Sequence, residues 1–325
     1  MTDFIRPDVD FFAASPDVAL AEADIALFGA PHGTPYPDID NTPNADAPTA
    51  LRRALADDRG WEHHVDFDLG GPLLDSGSND PSPQERTATD HTWATFVDLG
   101  DLQTTSHDGP ANRVAIERAT RDIITAGATP IMIGGDDSVP IPFFSALDTL
   151  GPLTIVQIDA HIDWREARRG EPLGFSSTMR RASEMPHVEA IVQVGIRGLG
   201  SAHPSDVADA RAWGAQLITA RELHHSGVDA VVDRIPQGTR IALTIDCDGL
   251  DAGIMPAVMA PTPGGLTYLQ ATDLIHGLAR RGHLAAVAMV EFVPARDVTG
   301  TAAITAARVL ANAVGSIAHN RARTN

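Results

Sequence analysis

Two short segments hold side chains that can do chemistry together, Asp159-Ala160-His161-Ile162-Asp163 and Asp246-Cys247-Asp248. Each follows a run that reads as a buried strand, residues 153–158 in one case and 241–245 in the other. Side chains two apart on an extended chain point the same way. Asp159, His161 and Asp163 thus form one cluster and Asp246 with Asp248 another, while Cys247 alternates away from its neighbours. Carboxylates gathered this densely and withdrawn from water either hold protons or require cations. Divalent metal is the simplest solution for such a set.

Strand-like runs at 25–29, 96–101, 129–135, 153–158, 188–194, 215–218, 241–245 and 285–290 alternate with helix-like stretches, among them 47–55, 111–126, 270–280 and 301–319. The alternation predicts an α/β fold, a three-layer sandwich whose central, mostly parallel sheet is covered on both faces. Ligands of such sheets gather at the carboxyl ends of the strands. Five candidate segments fall there: 134–138, Asp98 to Asp101, 159–163, 246–248, and Glu291 at the end of 287–290. No repeat or linker divides residues 1–325, so one domain is expected, with 68–90, rich in Gly, Ser, Asp and Pro, as a surface excursion.

All 24 basic side chains are arginine, which rules out a lysine Schiff base or a P-loop lysine. A formal net charge of −19 argues against nucleic acid or an anionic membrane as partner. It suits a cationic substrate and equally an ordinary acidic protein. The single cysteine excludes an intrachain disulfide and a thiolate zinc cluster, and the N-terminus lacks the pattern of a secretory signal, so a cytoplasmic protein is expected. No continuous apolar run approaches the roughly 18 residues of a membrane span.

Four segments in order resemble the arginase and agmatinase superfamily of ureohydrolases. They are Gly134-Gly135-Asp136-Asp137-Ser138, Asp159 to Asp163, Thr244-Ile245-Asp246-Cys247-Asp248-Gly249-Leu250-Asp251, and Glu291-Phe292-Val293-Pro294-Ala295-Arg296-Asp297. Gly29-Ala30-Pro31, Leu99-Gly100-Asp101, residues 193–197 and Pro263-Gly264-Gly265-Leu266 support the match, which covers about residues 24–316 and sits closer to agmatinase- and guanidinobutyrase-like members than to arginase.

The resemblance implies a binuclear hydrolase of a guanidino compound with two divalent ions, Mn2+ first and Ni2+ as runner-up. Carried over by position, Asp137, Asp159, Asp163 and Asp246 would hold one ion and Asp159, His161, Asp246 and Asp248 the other, with Asp159 and Asp246 shared. A metal-bridging hydroxide would attack the guanidinium carbon to release urea. Glu291 and Asp163 are the expected catalytic carboxylates, Glu291 pairing with the substrate's planar cation. His32, Ser176 and Trp164 are the further candidates for substrate contact, although packing is an equal reading of Trp164. The same resemblance implies a homo-oligomer, trimeric or hexameric, or a hetero-oligomer with a paralogous subunit.

Two positions depart from the pattern. Asp137 stands where relatives carry His, adding a negative charge to the cage, and Phe175 stands where relatives carry a proton-shuttling His. The substrate expected is agmatine, guanidinobutyrate, guanidine, or an N-alkylated guanidine or biguanide. The alternative that the departures suggest is a catalytically impaired structural or regulatory subunit of a heteromeric ureohydrolase, for example a biguanide hydrolase. A mononuclear zinc deacetylase on a related fold would not need so many aspartates.

Overall fold

The computed structural model describes residues 2–40, 42–75, 93–200 and 202–321. In chain order the elements are β1 (Phe4–Ile5), β2 (Ile25–Ala30), α1 (Ala47–Ala54), β3 (Val65–Asp66), β4 (Gly71–Pro72), β5 (Phe96–Leu102), α2 (Gly109–Thr125), β6 (Thr129–Gly134), α3 (Pro140–Ser145) and β7 (Leu153–Ile158). They continue with α4 (Thr178–Ser183), β8 (Val188–Ile196), α5 (Pro204–Trp213), β9 (Gln216–Thr219), α6 (Ala220–Ser226), α7 (Asp229–Val232), β10 (Arg240–Asp246), α8 (Tyr268–Arg281), β11 (His283–Val290) and α9 (Thr301–Arg321).

Among the described residues the main sheet runs β1-β5-β2-β6-β11-β10-β7-β8-β9, and every neighbouring pair is parallel except β1 with β5. Alternation along each strand separates two cores. Ile25, Leu27, Ile131, Ile133, Val156, Ile158, Leu243, Ile245, Val287 and Met289 face the layer that contains α1, α8 and α9. Ala26, Phe28, Met132, Ile155, Ala242, Ala286 and Ala288 face the layer of α2, α3 and α4. This is the expected three-layer α/β sandwich, and sealing both faces of the sheet explains why its strands read as unbroken apolar runs.

Local sequence sets the helix boundaries. Asp108 accepts from the Ala111 amide and Thr267 forms a capping box with Gln270, so α2 and α8 begin where their first free N–H groups find partners. Asp297 does the same for α9 through the Ala302 and Ala303 amides.

One expectation needs correction. In the described part of 68–90, Leu73 and Leu74 are buried in the core beneath α9, with Leu69 packed against them, so 68–75 is anchored structure; 76–90 lies outside the described residues. By length and mean composition α9 is apolar enough to cross a bilayer, although Arg308 and Asn312 keep it from being a continuous apolar run. In the fold 72% of that stretch is buried, as befits a core helix packed against α1 and α8.

Candidate metal centre and substrate cavity

Four of the five strands that end in candidate residues, β6, β11, β10 and β7, are consecutive in the middle of the sheet, and β5 lies apart from them. Their carboxyl ends deliver Asp136 and Asp137, Glu291, Asp246 and Asp248, and His161 and Asp163 to one cavity of about 270 Å³. Close backbone approach makes this possible. A Cβ on Gly249 would lie 2.7 Å from the Asp159 amide nitrogen, and one on Gly135 would lie 2.2 Å from the Pro31 carbonyl oxygen.

Two groups of ligand atoms lie close enough to hold an ion each. One is Asp159, His161 and Asp248, the other Asp137, Asp159 and Asp163, with all atoms in a group within 4.8 Å of one another. Asp159 belongs to both. Asp246 lines the same cavity, where its Oδ1 accepts the Asp248 amide at 2.7 Å. His161 Nδ1 stands 3.3 Å from Asp159 Oδ1 and 3.2 Å from Asp248 Oδ2.

A relay of amides orients the cluster. Gln157 Nε2 donates to Asp159 Oδ2 (2.6 Å) and Asp163 Oδ2 (3.0 Å), while Gln193 on β8 donates to the Gln157 carbonyl at 2.5 Å. Arg197 gathers the turn after β10 by donating to the carbonyls of Asp248, Leu250 and Thr262. Asp163 and Glu291 adopt positive φ, 43° and 66°, a conformation costing about 1–3 kcal/mol that the surrounding contacts must hold. Among those contacts are the Glu291 amide on the Gly135 carbonyl and the Asp163 carbonyl under the Met179 and Arg180 amides of α4.

The electrostatics ask for cations. Burial first, then the charges of neighbouring carboxylates, pushes Asp137, Asp159 and Asp246 well above the usual range. Glu291 rises to about 8 by burial and the nearby Asp136. Burial alone would lower His161, yet its hydrogen bond to Asp248 and the surrounding negative charge raise it to about 9. Both carboxylate oxygens of Asp137 are buried with no hydrogen-bond partner among the described residues. Native folds rarely leave an acceptor so placed without a donor or an ion. The donor set is oxygen-rich with one imidazole, which fits hard to borderline divalent ions.

The structure brings together Asp137, His161, Asp163, Asp246, Asp248, Glu291 and Ser176 at this cavity, with Asp159 within ligand-atom reach of Asp137, His161, Asp163 and Asp248. It does not bring Trp164 there: that ring is buried in the α2–α4 core, 6.0 Å from the Trp213 ring, because its side chain leaves the backbone on the packed side of the loop. His32 is also absent from the described lining; its amide and Nδ1 are both tied to Thr104 Oγ1. The Asp98 to Asp101 segment serves stability instead. Arg52, fully buried, forks onto both oxygens of Asp98 (2.8 and 2.9 Å) and reaches Asp101 at 2.5 Å.

The sequence reading missed Asn44, Ile39, Arg168, Met259 and Ala260, which complete the wall. Asn44 Nδ2 donates to Glu291 Oε2 (3.2 Å) and the Phe292 carbonyl (3.4 Å), leaving Asn44 Oδ1 buried without a donor among the described residues. Glu291 Oε1 accepts the Asp137 amide at 2.9 Å. Phe175 forms part of the wall, edge-on to Tyr36 at 4.8 Å.

Known proteins agree with this architecture. The chain is 34% identical over 233 residues to a guanidinopropionase of Pseudomonas aeruginosa, covering 70% of this chain and 73% of that one. It is 28% identical to a guanidinobutyrase of the same organism, over 66% of this chain and 68% of the relative. The crystal structure of a hypothetical agmatinase from Burkholderia thailandensis superposes with a TM-score of 0.78 at 22% identity, covering 98% of this chain and 92% of that one, which supports the fold. Residues 23–315 match the model of the Arginase family, and the chain belongs to that family.

Proposed function

We propose that this chain hydrolyses the C–N bond of a guanidino compound at a pair of divalent cations, releasing urea. The observation that carries this is the shared position of Asp159 between two ligand groups, with the partnerless oxygens of Asp137 beside it. Asp137, Asp159 and Asp163 would hold one ion and Asp159, His161 and Asp248 the other, with Asp246 alongside. Mn2+ suits the oxygen donors best and Ni2+ is the second choice. Bound there, the cations supply a water activated at neutral pH, which the resonance-stabilised guanidinium carbon requires.

The chain's own residues place the substrate. Glu291 offers its carboxylate to the planar cation, and Asn44 Oδ1 offers a second acceptor for a guanidinium N–H. Hydrolysis leaves the water oxygen on carbon and both its protons on the departing nitrogen. Phe175 supplies no proton at the wall, so the Ser176 hydroxyl is the protic group at that position.

Purified chain loaded with Mn2+ or Ni2+ should bind about two ions and release urea from a guanidino panel, and Asp159→Ala should lose both ions together. No urea from any compound with either metal would overturn the reading. Phe175 and Asp137 favour one alternative, a regulatory subunit; it would show full metal loading, no turnover alone, and turnover on adding a paralogous chain.

A further inference from the structure

Every ionisable group at the bottom of the cavity is acidic except His161, and Arg168 is the one arginine among the described lining residues. It reaches the cavity from the loop between β7 and α4 by a tight hairpin. The amides and carbonyls of Arg168 and Glu171 pair in both directions at 3.0 and 2.9 Å, and the two residues between them, Arg169 and Gly170, have φ of 53° and 85°. Two consecutive positive φ values are the signature of a primed two-residue turn, which gives the base of the side chain a defined position. The guanidinium lies 5.2 Å from the centre of the Tyr36 ring. Tyr36 is itself braced edge-on by Phe175 and accepts the Ser176 amide on its hydroxyl.

The charge of Arg168 is only partly answered. Asp38 approaches it at 3.5 Å but shares the same oxygen with Arg169 at 3.1 Å, so one carboxylate serves two guanidinium groups. The same cavity is lined by four apolar residues, Ile39, Phe175, Met259 and Ala260, beside the polar Asn44 and Ser176. The cavity lining therefore combines a cluster of acids, an apolar portion and one cation, Arg168. A guanidinium bound at Glu291 would extend an alkyl chain along the apolar wall, and a tail group would meet Arg168.

We infer that Arg168 selects substrates whose tail is a carboxylate, so that the cavity takes ω-guanidino acids in preference to amine-tailed guanidines such as agmatine. The inference rests on the proposed guanidino reading and deepens it. A carboxylate pairs with guanidinium in a bidentate fork, whereas an ammonium at the same place meets a like charge. Arg168 is a specificity-determining residue in this scheme and takes no part in bond cleavage.

The test measures binding and turnover separately for 3-guanidinopropionate, 4-guanidinobutyrate, agmatine and neutral propylguanidine, on the metal-loaded chain and on Arg168→Gln and Arg168→Glu. The acids should bind at least about tenfold more tightly than agmatine, the scale of one charge-assisted pair. Arg168→Gln should remove that advantage through KM, leaving kcat and propylguanidine within about twofold, and Arg168→Glu should invert the preference. Agmatine binding as well as the acids, or an acid-to-amine ratio unchanged in Arg168→Gln, would overturn the inference. Absence of urea from every compound would overturn the hydrolase reading alone, because the binding ratios still judge Arg168.

Discussion

At the scale of single residues, Asp137 is the position where the chain departs most consequentially from the pattern it resembles. Its carboxylate oxygens have no hydrogen-bond partner among the described residues, and burial together with Asp163 and Glu291 disfavours its charge. As a fifth aspartate around two dications it lowers the acidity of any water they activate. Asp137→His should therefore move the acid limb of the pH–rate profile downward by roughly one unit, the effect of one adjacent charge, and change the preference between Mn2+ and Ni2+. An unmoved profile with unchanged metal selectivity would show that the residue does not ligate. Asp137 and Phe175 were legible in sequence because ordered motifs frame them. Asn44 and Arg168 were not, since each sits in a loop whose path to the cavity no local pattern encodes.

At the scale of elements, the alternation of strand-like and helix-like runs predicted most of what is seen, yet the strand-end signal misled at β5. Asp98 and Asp101 follow an apolar run as Asp159 and Asp246 do, but β5 lies outside the central β6-β11-β10-β7 group, and its carboxylates turn to Arg52 on α1. Burying one cation among two carboxylates makes the arginine hard to remove: a lost partner in such a network costs about 3–5 kcal/mol. Arg52→Met should lower the denaturant midpoint correspondingly while leaving metal content unchanged. Loss of metal at unaltered stability would place this network in the catalytic machinery instead. Trp164 gives the complementary lesson, that adjacency to Asp163 in sequence says nothing about which side of a loop a ring will pack on.

At the scale of the whole molecule, a cage of buried acids makes stability depend on proton and metal together. Asp137, Asp159 and Asp246 have folded-state proton affinities above those of the unfolded chain, so the fold binds more protons and loses stability as pH rises above about 4. His161, raised to about 9, contributes stability that is complete below its ordinary value of 6.5 and lost as pH passes through about 9, the same direction. In a chelator, Tm should therefore fall between about pH 5 and pH 9. Saturating Mn2+ should reverse the slope, because metal binds the deprotonated cage. Parallel curves with and without metal would contradict a cation site. The sequence by itself determined the α/β class, the metal-capable residues and the family they resemble, because strand periodicity and strand-end motifs are local and repeat in order along the chain. Only the tertiary structure decided which acids share a cavity, that Asp98, Asp101 and Trp164 do not, and that Asn44 and Arg168 do. Those choices depend on strand order across the sheet and on loop paths, which arise from contacts between residues more than a hundred positions apart, as between Asn44 and Glu291.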